Sequence, residues 1–263
     1  MSINAMSTVR ELAVNLPGAT RIFESAGIDY CCGGGRSLAD ACEKSGVTVS
    51  EIVRSLEEAQ RAESPEGAFV DWQHESLGTL CAYIVDHHHS FARQELARLE
   101  PLLEKVHSKH GANHPELDRL KELSTLLRDE LLPHMLKEEQ VLFPYIVRLE
   151  ENSVAGHDFP APFFGSVRNP VKMMITEHEA AGDLLVEMRE LTGNYLPPAD
   201  ACISYQTLYQ VLRALESDLH QHIHLENNVL FPRAIATETQ AHPDWQKAGK
   251  HQCSGHSSFP ATN

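Results

Sequence analysis

A stretch of eleven residues occurs twice in the second half of the chain, and no other feature constrains the fold as much. The first copy, HMLKEEQVLFP, begins at His134, and the second, HIHLENNVLFP, begins at His222. Both follow the pattern H-x3-E-x2-V-L-F-P, with the glutamates at Glu138 and Glu226. Residues four apart lie one above the other on a helix face. A single His and Glu at this spacing arises by chance, whereas two copies with the same apolar ending indicate an internal repeat.

The repeat extends towards the N-terminus and predicts the fold class. His89 precedes His134 by 45 residues, and His178 precedes His222 by 44 residues. Apolar residues at helical spacing predict four long helices, at about residues 72–106, 116–150, 171–192 and 200–236. Each half of the repeat then supplies one histidine on a first helix, and a histidine with a glutamate on a second. The sequence therefore predicts an all-α protein with an up-and-down four-helix bundle at residues 71–236.

The apolar stripes of these helices select the histidines that face the interior of the bundle. The selected set is His89, His134, His178 and His222. His89 is preferred to its neighbour His88 because its stripe is the longest unbroken one, and His88 remains the alternative. His110 falls in the predicted loop at residues 107–115. At 1.5 Å per residue it lies roughly 25 to 30 Å from the other histidines, so we leave it outside the site.

Four imidazoles and two carboxylates that converge in a bundle suit a pair of non-haem iron ions bridged by both glutamates. Two buried carboxylates without a cation would be very costly. Such a pair leaves coordination positions open for dioxygen, nitric oxide or water. Zinc is the competing metal, but it favours a closed tetrahedral site with cysteine and histidine. A ferritin-type site needs two E-x2-H motifs, and only one, at Glu104, is found.

Two further carboxylates lie close in sequence to the selected histidines. Glu177 directly precedes His178, and Glu130 lies one helical turn before His134. Each is expected either to accept a hydrogen bond that orients a metal-binding histidine, or to carry a charge on a solvated face.

The first 63 residues form a separate unit. Short amphipathic stretches predict a small N-terminal helical module, in which Cys31 and Cys32 are followed by three glycines. We expect this pair to be exposed and to serve in metal or nitrosyl transfer or in redox chemistry, although free cysteines are commonly buried. A polar linker is predicted at residues 62–68 and a flexible tail at residues 237–263. The thiols of Cys42, Cys81 and Cys202 are expected in helical cores.

Composition excludes several classes of partner. The formal net charge of −15 argues against a surface for nucleic acid or for anionic membranes. No apolar run approaches the roughly 18 to 20 residues that a spanning helix needs, and the N-terminus lacks the apolar core of a signal peptide. These features predict a cytoplasmic protein, where disulfides among the six cysteines are not expected.

The motifs together resemble a known family. A DYCCGG segment in an N-terminal helical module, similar to the ScdA-N domain, precedes a hemerythrin-like bundle with HMLKEEQVLFP and HLENNVLFPR. In this combination and order, the chain is similar to the Repair of Iron Centres (RIC) family of di-iron proteins. The resemblance covers residues from about 8 to 236.

The resemblance implies a cofactor and a function. The cofactor would be two non-haem iron ions with carboxylate and oxo bridges, held by the six residues His89, His134, Glu138, His178, His222 and Glu226. The implied function is repair of iron–sulfur clusters damaged by nitric oxide or peroxide, through iron donation to damaged or apo iron–sulfur proteins. Binding or reduction of nitric oxide at the same centre is the alternative, and a homodimer is possible.

One position departs from the pattern of the oxygen-carrying hemerythrins. Those proteins have H-x3-H on the third helix, whereas this chain has Gly182 at the second position. The departure implies that one iron has fewer protein ligands, which favours reactivity or iron release over reversible oxygen carriage.

Overall fold

The computed structural model describes residues 3–16, 18–61, 70–157 and 160–243. Within these ranges the chain is helical and contains no β-strand, only an isolated bridge between Thr8 and Ser37. The all-α prediction with a helical bundle and a small N-terminal helical domain is confirmed. The predicted linker and residues 244–263 of the predicted tail lie outside the described residues.

The N-terminal domain consists of four short helices around its own apolar core. They are α1 (Val9–Asn15), α2 (Ala19–Ser25), α3 (Leu38–Ser45) and α4 (Val49–Arg61). Helix α1 starts with a capping box: the Thr8 side chain accepts from the backbone of Glu11, whose carboxylate accepts in turn from the Thr8 N–H. Phe23 and Tyr30 are among the largest side chains of the core. A domain this small has a marginal core when isolated, so its packing on the bundle adds to its stability.

Four long helices form the bundle, and three of them contain a π-helical segment. The first comprises α5 (Leu77–Tyr83), π1 (Ile84–His89) and α6 (Ser90–His110). The second comprises α7 (Glu116–Lys137), π2 (Glu138–Leu142) and α8 (Phe143–Ala155). The third is α9 (Arg168–Leu191), and the fourth comprises α10 (Ile203–Leu225), π3 (Glu226–Leu230) and α11 (Phe231–Ala241).

The repeated motif explains two of the π-helical segments. In each copy the V-L-F-P ending places a proline inside a continuous helix, where it lacks an N–H and clashes with the carbonyl four residues earlier. The N–H of Phe143 accordingly donates to the carbonyl of Glu138, five residues back, and Phe231 donates to Glu226 in the same way. A π-bulge accommodates the proline without interrupting the helix and changes the direction of the side chains around it. Both motif glutamates are the first residues of these segments.

Two apolar clusters fill the bundle at opposite ends. One joins α6, α7, α9 and α10 through leucines such as Leu99, Leu123 and Leu212. The other joins α5, α8, α11 and the start of α9, and includes Phe143 and Phe231. The histidines and glutamates of the repeat lie between the two clusters. Within the described ranges, no helix combines the length and the apolar character that crossing a membrane requires.

Helix ends differ from the expected positions in two places. The first bundle helix continues to His110, so this residue ends a helix rather than lying in a loop. The fourth continues to Ala241, past the predicted start of the tail at residue 237. The buried carboxylate of Glu238 explains this extension, because it accepts hydrogen bonds from Ser166 and from the backbone of Val167. Polar composition made residues 237–241 look like a tail, whereas these contacts bury one side of them.

The N-terminal domain contacts the bundle at π3. The side-chain oxygen of Asn228 accepts from Arg10 at 2.7 Å, and its amide nitrogen donates to the carbonyl of Tyr30 at 2.8 Å. Gln221 donates to the hydroxyl of Tyr30. A Cβ added at Gly34 would lie 2.8 Å from the Asn228 side-chain oxygen. Close approach of the two domains therefore requires glycine at this position.

Candidate metal centre

The structure brings together the six motif residues from four different helices. His89 ends π1, His134 lies near the end of α7, and His178 and His222 lie within α9 and α10. All four imidazoles are buried, and the carboxylates of Glu138 and Glu226 are fully inaccessible. We call these six residues the candidate centre. Of the three adjacent histidines in π1, His89 is the one that faces it.

The six side chains form two groups that share both glutamates. One group holds His89 and His222, whose Nε2 atoms are 3.1 Å apart. The other holds His134 and His178, with Nε2 atoms 3.0 Å apart. In each group the ligand atoms lie within 4.8 Å of one another. Each pair therefore joins a helix from one half of the repeat to a helix from the other half.

The two glutamates reach both groups. Oε2 of Glu138 lies 3.4 Å from Nε2 of His89 and 3.4 Å from Nε2 of His134. Oε1 of Glu226 lies 3.0 Å from Nε2 of His222, and its Oε2 lies 3.0 Å from Nε2 of His178. Each carboxylate thus spans the two histidine pairs, as a bridging ligand must.

Contacts to Nδ1 fix the orientation of three of the histidines. Nδ1 of His89 lies 2.7 Å from Glu139, and Nδ1 of His134 lies 2.8 Å from Glu177. Nδ1 of His178 lies 2.9 Å from the side-chain oxygen of Asn227. These contacts place a proton on Nδ1 and leave Nε2 as the donor atom for a metal ion. Nδ1 of His222 is buried and has no hydrogen-bond partner among the described residues.

The sequence contained a signal for two of these contacts that our reading of it missed. Glu139 and Asn227 each directly follow the glutamate of their motif copy, so the repeat itself marks this position. Glu177, which the sequence predicts beside a metal-binding histidine or on a solvated face, lies against His134. The side chain of Lys137 donates to its other oxygen.

Glu130 lies away from the candidate centre. Its side chain is exposed, so it contributes a solvated charge and does not orient His134. The buried stripe of α7 passes through Leu127, Leu131 and His134, and Glu130 lies beside it on the solvent side. Glu177, on the neighbouring helix, occupies the position beside Nδ1 instead.

His88 lies next to the candidate centre but belongs to neither group. Its Nδ1 is 2.9 Å from the carboxylate of Asp218, and its ring is parallel to that of His222, with centroids 5.7 Å apart. His88 also lines a cleft of about 450 Å³ between the N-terminal domain and the bundle. None of the six residues of the candidate centre lines this cleft, and His88 connects the two through its ring contact with His222.

The electrostatics of the candidate centre favour a bound cation. Burial, and then the neighbouring imidazole, lower the pKa of His89 and of His134 to about 4, so both are neutral and able to coordinate. Burial and the adjacent carboxylate of Glu226 raise the pKa of Glu138 well above its ordinary value. Burial alone would also raise the pKa of Glu226, but His222 and His178 hold this pKa well below its ordinary value.

The unsatisfied atoms provide a direct test of whether these residues fit a metal. Neither oxygen of Glu138 receives a hydrogen bond within the described residues, although the side chain is fully buried. An unpaired buried carboxylate is among the most costly groups a protein can contain. Metal ions between the two histidine pairs would satisfy these oxygens together with the four Nε2 atoms. This set of four imidazole nitrogens and two carboxylates therefore fits a bound metal.

The vicinal cysteines lie in the segment of the N-terminal domain that contacts π3. Cys32 is exposed, whereas Cys31 is buried, so the expectation that both thiols are exposed is wrong for Cys31. The contact with Cys32 and burial raise the pKa of the Cys31 thiol well above its ordinary value. Asn227 donates to the Cys31 carbonyl at 3.3 Å while its oxygen faces Nδ1 of His178. One amide therefore joins the cysteine segment to the candidate centre.

Comparison with known proteins agrees with this geometry. Residues 80–234 match the hemerythrin HHE cation binding domain, and residues 5–60 match ScdA_N, a domain of unknown function (DUF542). A probable iron-sulfur cluster repair protein from Haemophilus influenzae is 34% identical over 88% of this chain and 97% of its own length. The chain belongs to the Repair of Iron Centres family.

Two further relatives agree with this membership. The iron-sulfur cluster repair protein YtfE of Enterobacter sp. is 36% identical over 87% of this chain and 96% of its own length. The iron-sulfur cluster repair protein ScdA of Staphylococcus haemolyticus is 32% identical over 86% of this chain and 96% of its own length. The family has a cation-binding hemerythrin domain, and the candidate centre is the buried His/Glu cluster within it.

Proposed function

We propose that the candidate centre holds two iron ions and that the protein repairs damaged iron–sulfur clusters by donating iron to them. One iron would be held by His89 and His222, and the other by His134 and His178. Glu138 and Glu226 would bridge them, with an oxo group as an additional bridge. The observation that carries this proposal is that both carboxylates are shared between the two histidine pairs.

The number of protein ligands supports donation over permanent storage. Each iron would have two imidazoles and a share of two carboxylates, and non-haem iron sites with so few protein ligands keep open positions. Gly182, one turn after His178 on α9, leaves further room, because an added Cβ there would meet nothing within 4 Å. A site that is not saturated by protein ligands can release its ion to a competing thiolate set.

The two halves of the candidate centre differ in a way that favours release from one of them. His89, His134 and His178 each have an Nδ1 partner that orients the ring, whereas His222 has none within the described residues. Loss of such a partner typically weakens metal affinity by about 10- to 100-fold. We therefore assign the labile iron to the pair His89 and His222. His88, which lines the cleft, has its ring against His222 of this pair.

Bound iron would supply Lewis-acid and one-electron chemistry at this position. The histidines and glutamates would hold it through Nε2 and carboxylate oxygens, and Glu139, Glu177 and Asn227 would keep the Nδ1 protons in place. The exposed thiol of Cys32 is the proposed acceptor for a departing iron or nitrosyl group. Damaged or apo iron–sulfur proteins are the proposed partners, in line with the names of the relatives.

Cluster assembly on an apo-ferredoxin tests the proposal. The reduced, iron-loaded protein is mixed with the apo-ferredoxin and sulfide, and cluster formation is followed by absorption. We expect Glu138→Gln and Glu226→Gln to abolish assembly, and the matched variant Glu130→Gln, at an exposed position on the same helix as Glu138, to retain it. Metal analysis and Mössbauer spectra of the loaded protein report whether two coupled irons are present. Assembly that is unaffected by both bridging variants would exclude iron donation.

Nitric oxide chemistry at the same centre is the second candidate, and the cleft that reaches His88 favours it because a small diatomic could enter there. The loaded protein is exposed to nitric oxide without any client, and nitrous oxide is quantified. Nitrous oxide formation that depends on both glutamates, combined with no cluster assembly, would replace the donation proposal.

Replacing Cys31 and Cys32 together by serine tests whether the N-terminal segment takes part. If every activity survives, these thiols have no role in transfer.

A further inference from the structure

A second cluster of metal-ligating side chains lies at the end of the bundle far from the candidate centre. His110 is the last residue of α6, His114 lies in the turn that follows, and Asp200 and Cys202 directly precede α10. One ligand atom from each of His110, His114 and Asp200 lies within 4.8 Å of the others. At 1.5 Å per residue, the length of α6 places His110 about 30 Å from His89. The two clusters therefore cannot share an ion.

We propose that His110, His114, Asp200 and Cys202 bind a divalent cation of the zinc class, in a site that is independent of the proposed repair function. Two imidazoles, a carboxylate and a thiolate are the ligand types that Zn²⁺ combines in tetrahedral sites. Nε2 of His110 lies 3.2 Å from Sγ of Cys202, and Nε2 of His114 lies 3.1 Å from Oδ1 of Asp200.

These separations match tetrahedral coordination closely. Metal–ligand distances of about 2.0 to 2.3 Å at tetrahedral angles place neighbouring ligand atoms roughly 3.3 to 3.8 Å apart. Each of the two pairs would need to open by only about half an ångström or less to admit the ion. Cys202 reaches the cluster through its contact with His110, while His110, His114 and Asp200 form the set whose ligand atoms all lie within 4.8 Å of one another.

The two histidines are held in place before any ion arrives. The ring of His110 is buried and lies 5.3 Å from the ring of Tyr205, and the ring of His114 meets the same tyrosine edge-on at 5.5 Å. Nδ1 of His114 lies 3.0 Å from Glu116, which leaves its Nε2 facing Asp200. In a zinc-binding histidine, the ring nitrogen that does not bind the metal usually donates to a carboxylate, as Nδ1 of His114 can to Glu116.

The charges around the cluster are compatible with a cation. Asp200 and Glu116 flank His114, and Lys105 and Lys109 line the adjacent surface pocket beside Cys202. A backbone amide of α10 and the imidazole of His110 lower the pKa of the Cys202 thiol to about 7, so the thiolate is available at neutral pH. The thiol is partly exposed at the start of α10 rather than in the core, contrary to the sequence expectation.

Without a cation, the cluster is a hydrogen-bonded network in which His114 lies between two carboxylates. Contacts with Asp200 and Glu116 raise the pKa of His114. A cation at Nε2 of His114 would take the place of a proton there and join the turn after α6 to the segment before α10. Binding to the folded state alone would then raise the melting temperature, with an increment that grows as the logarithm of the cation concentration above the Kd.

Cobalt titration of the full chain, with the candidate centre first loaded with iron, tests the site. We expect one additional Co²⁺ per chain, with the visible bands of tetrahedral cobalt and a near-ultraviolet thiolate-to-cobalt band. His114→Ala and Asp200→Asn are expected to lower the affinity at least tenfold. Asp200 is exposed, so its neutral isostere tests the site without disturbing the fold. Cys202→Ser is expected to remove the near-ultraviolet band.

His107→Ala is the matched control, because His107 pairs with Asp118 at the same end of the bundle, in no metal-ligating group of the described residues. It is expected to bind cobalt as the wild type does. Absence of the additional cobalt in the wild type, or its retention in Asp200→Asn, would overturn the site. Binding without the thiolate band would exclude Cys202 from the ligand set. A Zn²⁺-induced rise in melting temperature that is equal in wild type and Asp200→Asn would also contradict the proposal.

Discussion

Replacing Glu138 by glutamine is expected to stabilise the metal-free protein while removing its capacity to hold metal. The side chain is fully buried, and neither of its oxygens receives a hydrogen bond from the part of the chain that the structure describes. Glutamine has the same shape, carries no charge and can donate to the carboxylate of Glu226. Relief of one unsatisfied buried group contributes about 1–3 kcal/mol to the free energy of unfolding. Each kcal/mol raises the melting temperature of a domain of this size by about 2–4 °C.

The effect depends on pH with a defined sign. Burial and the carboxylate of Glu226 raise the pKa of Glu138 in the folded state, whereas the unfolded chain has an ordinary glutamate pKa of about 4.3. The folded state therefore binds the proton more tightly, and its stability is lost as the pH rises from about 4.3 through the folded pKa. Because glutamine does not titrate, the advantage of Glu138→Gln over wild type grows with pH in this window.

Glu226→Gln is the matched variant and is expected to behave in the opposite way. Burial alone would raise the pKa of Glu226, but His222 and His178, each 3.0 Å away, hold it well below the ordinary value. Its contribution is present above the unfolded pKa and is lost as the pH falls through the folded pKa. The glutamine variant therefore loses about 1.5–3 kcal/mol near neutral pH, through the loss of charge-assisted contacts.

Thermal or urea unfolding of chelator-treated protein, between about pH 5 and pH 8, measures both variants against wild type. The histidine contributions are common to all three proteins and cancel in the differences to first order. Metal content is measured in parallel, and both variants are expected to lose it. Destabilisation of the metal-free protein by Glu138→Gln, or a difference from wild type that shrinks as the pH rises, would refute the assignment of Glu138 as the unpaired carboxylate.

Three further variants or probes test individual contacts. Asn227→Ala is expected to lower metal affinity about 10- to 100-fold, measured by chelator competition, because Nδ1 of His178 loses its partner; unchanged affinity would contradict this. Glu238→Ala is expected to cost about 1–3 kcal/mol in urea unfolding, because the N–H of Val167 loses its acceptor; a neutral result would show that α11 ends earlier. Iodoacetamide at neutral pH, followed by mass spectrometry, is expected to modify Cys31 more slowly than the exposed thiol that follows it; equal rates would refute the burial.

Much of the fold was predictable because the repeat encodes it locally. Helical spacing of apolar residues predicted the four long helices, and the six residues of the candidate centre could be chosen because each lies on an interior stripe. Helix ends were less predictable. Glu238 looks like a tail residue in sequence, and only its contacts with Ser166 and Val167 show that the last helix continues.

Some features depend on contacts between residues distant in sequence, and these could not be predicted. Glu130 and Glu177 appeared equivalent along the chain, but only Glu177 approaches a histidine, because it projects from a neighbouring helix. Cys31 and Cys32 are adjacent, yet the docking of the N-terminal domain buries one thiol and exposes the other.

The sequence by itself determined the helical class, the duplicated hairpin and the six side chains that meet in its interior, because each follows from the spacing of residues along a helix. The tertiary structure decided which histidines pair, how both glutamates are shared, and which neighbours orient each imidazole. It also brought His110 and His114 to Asp200 and Cys202, 86 or more residues further along the chain. Those relations depend on how the helices pack against one another, and no local pattern encodes them.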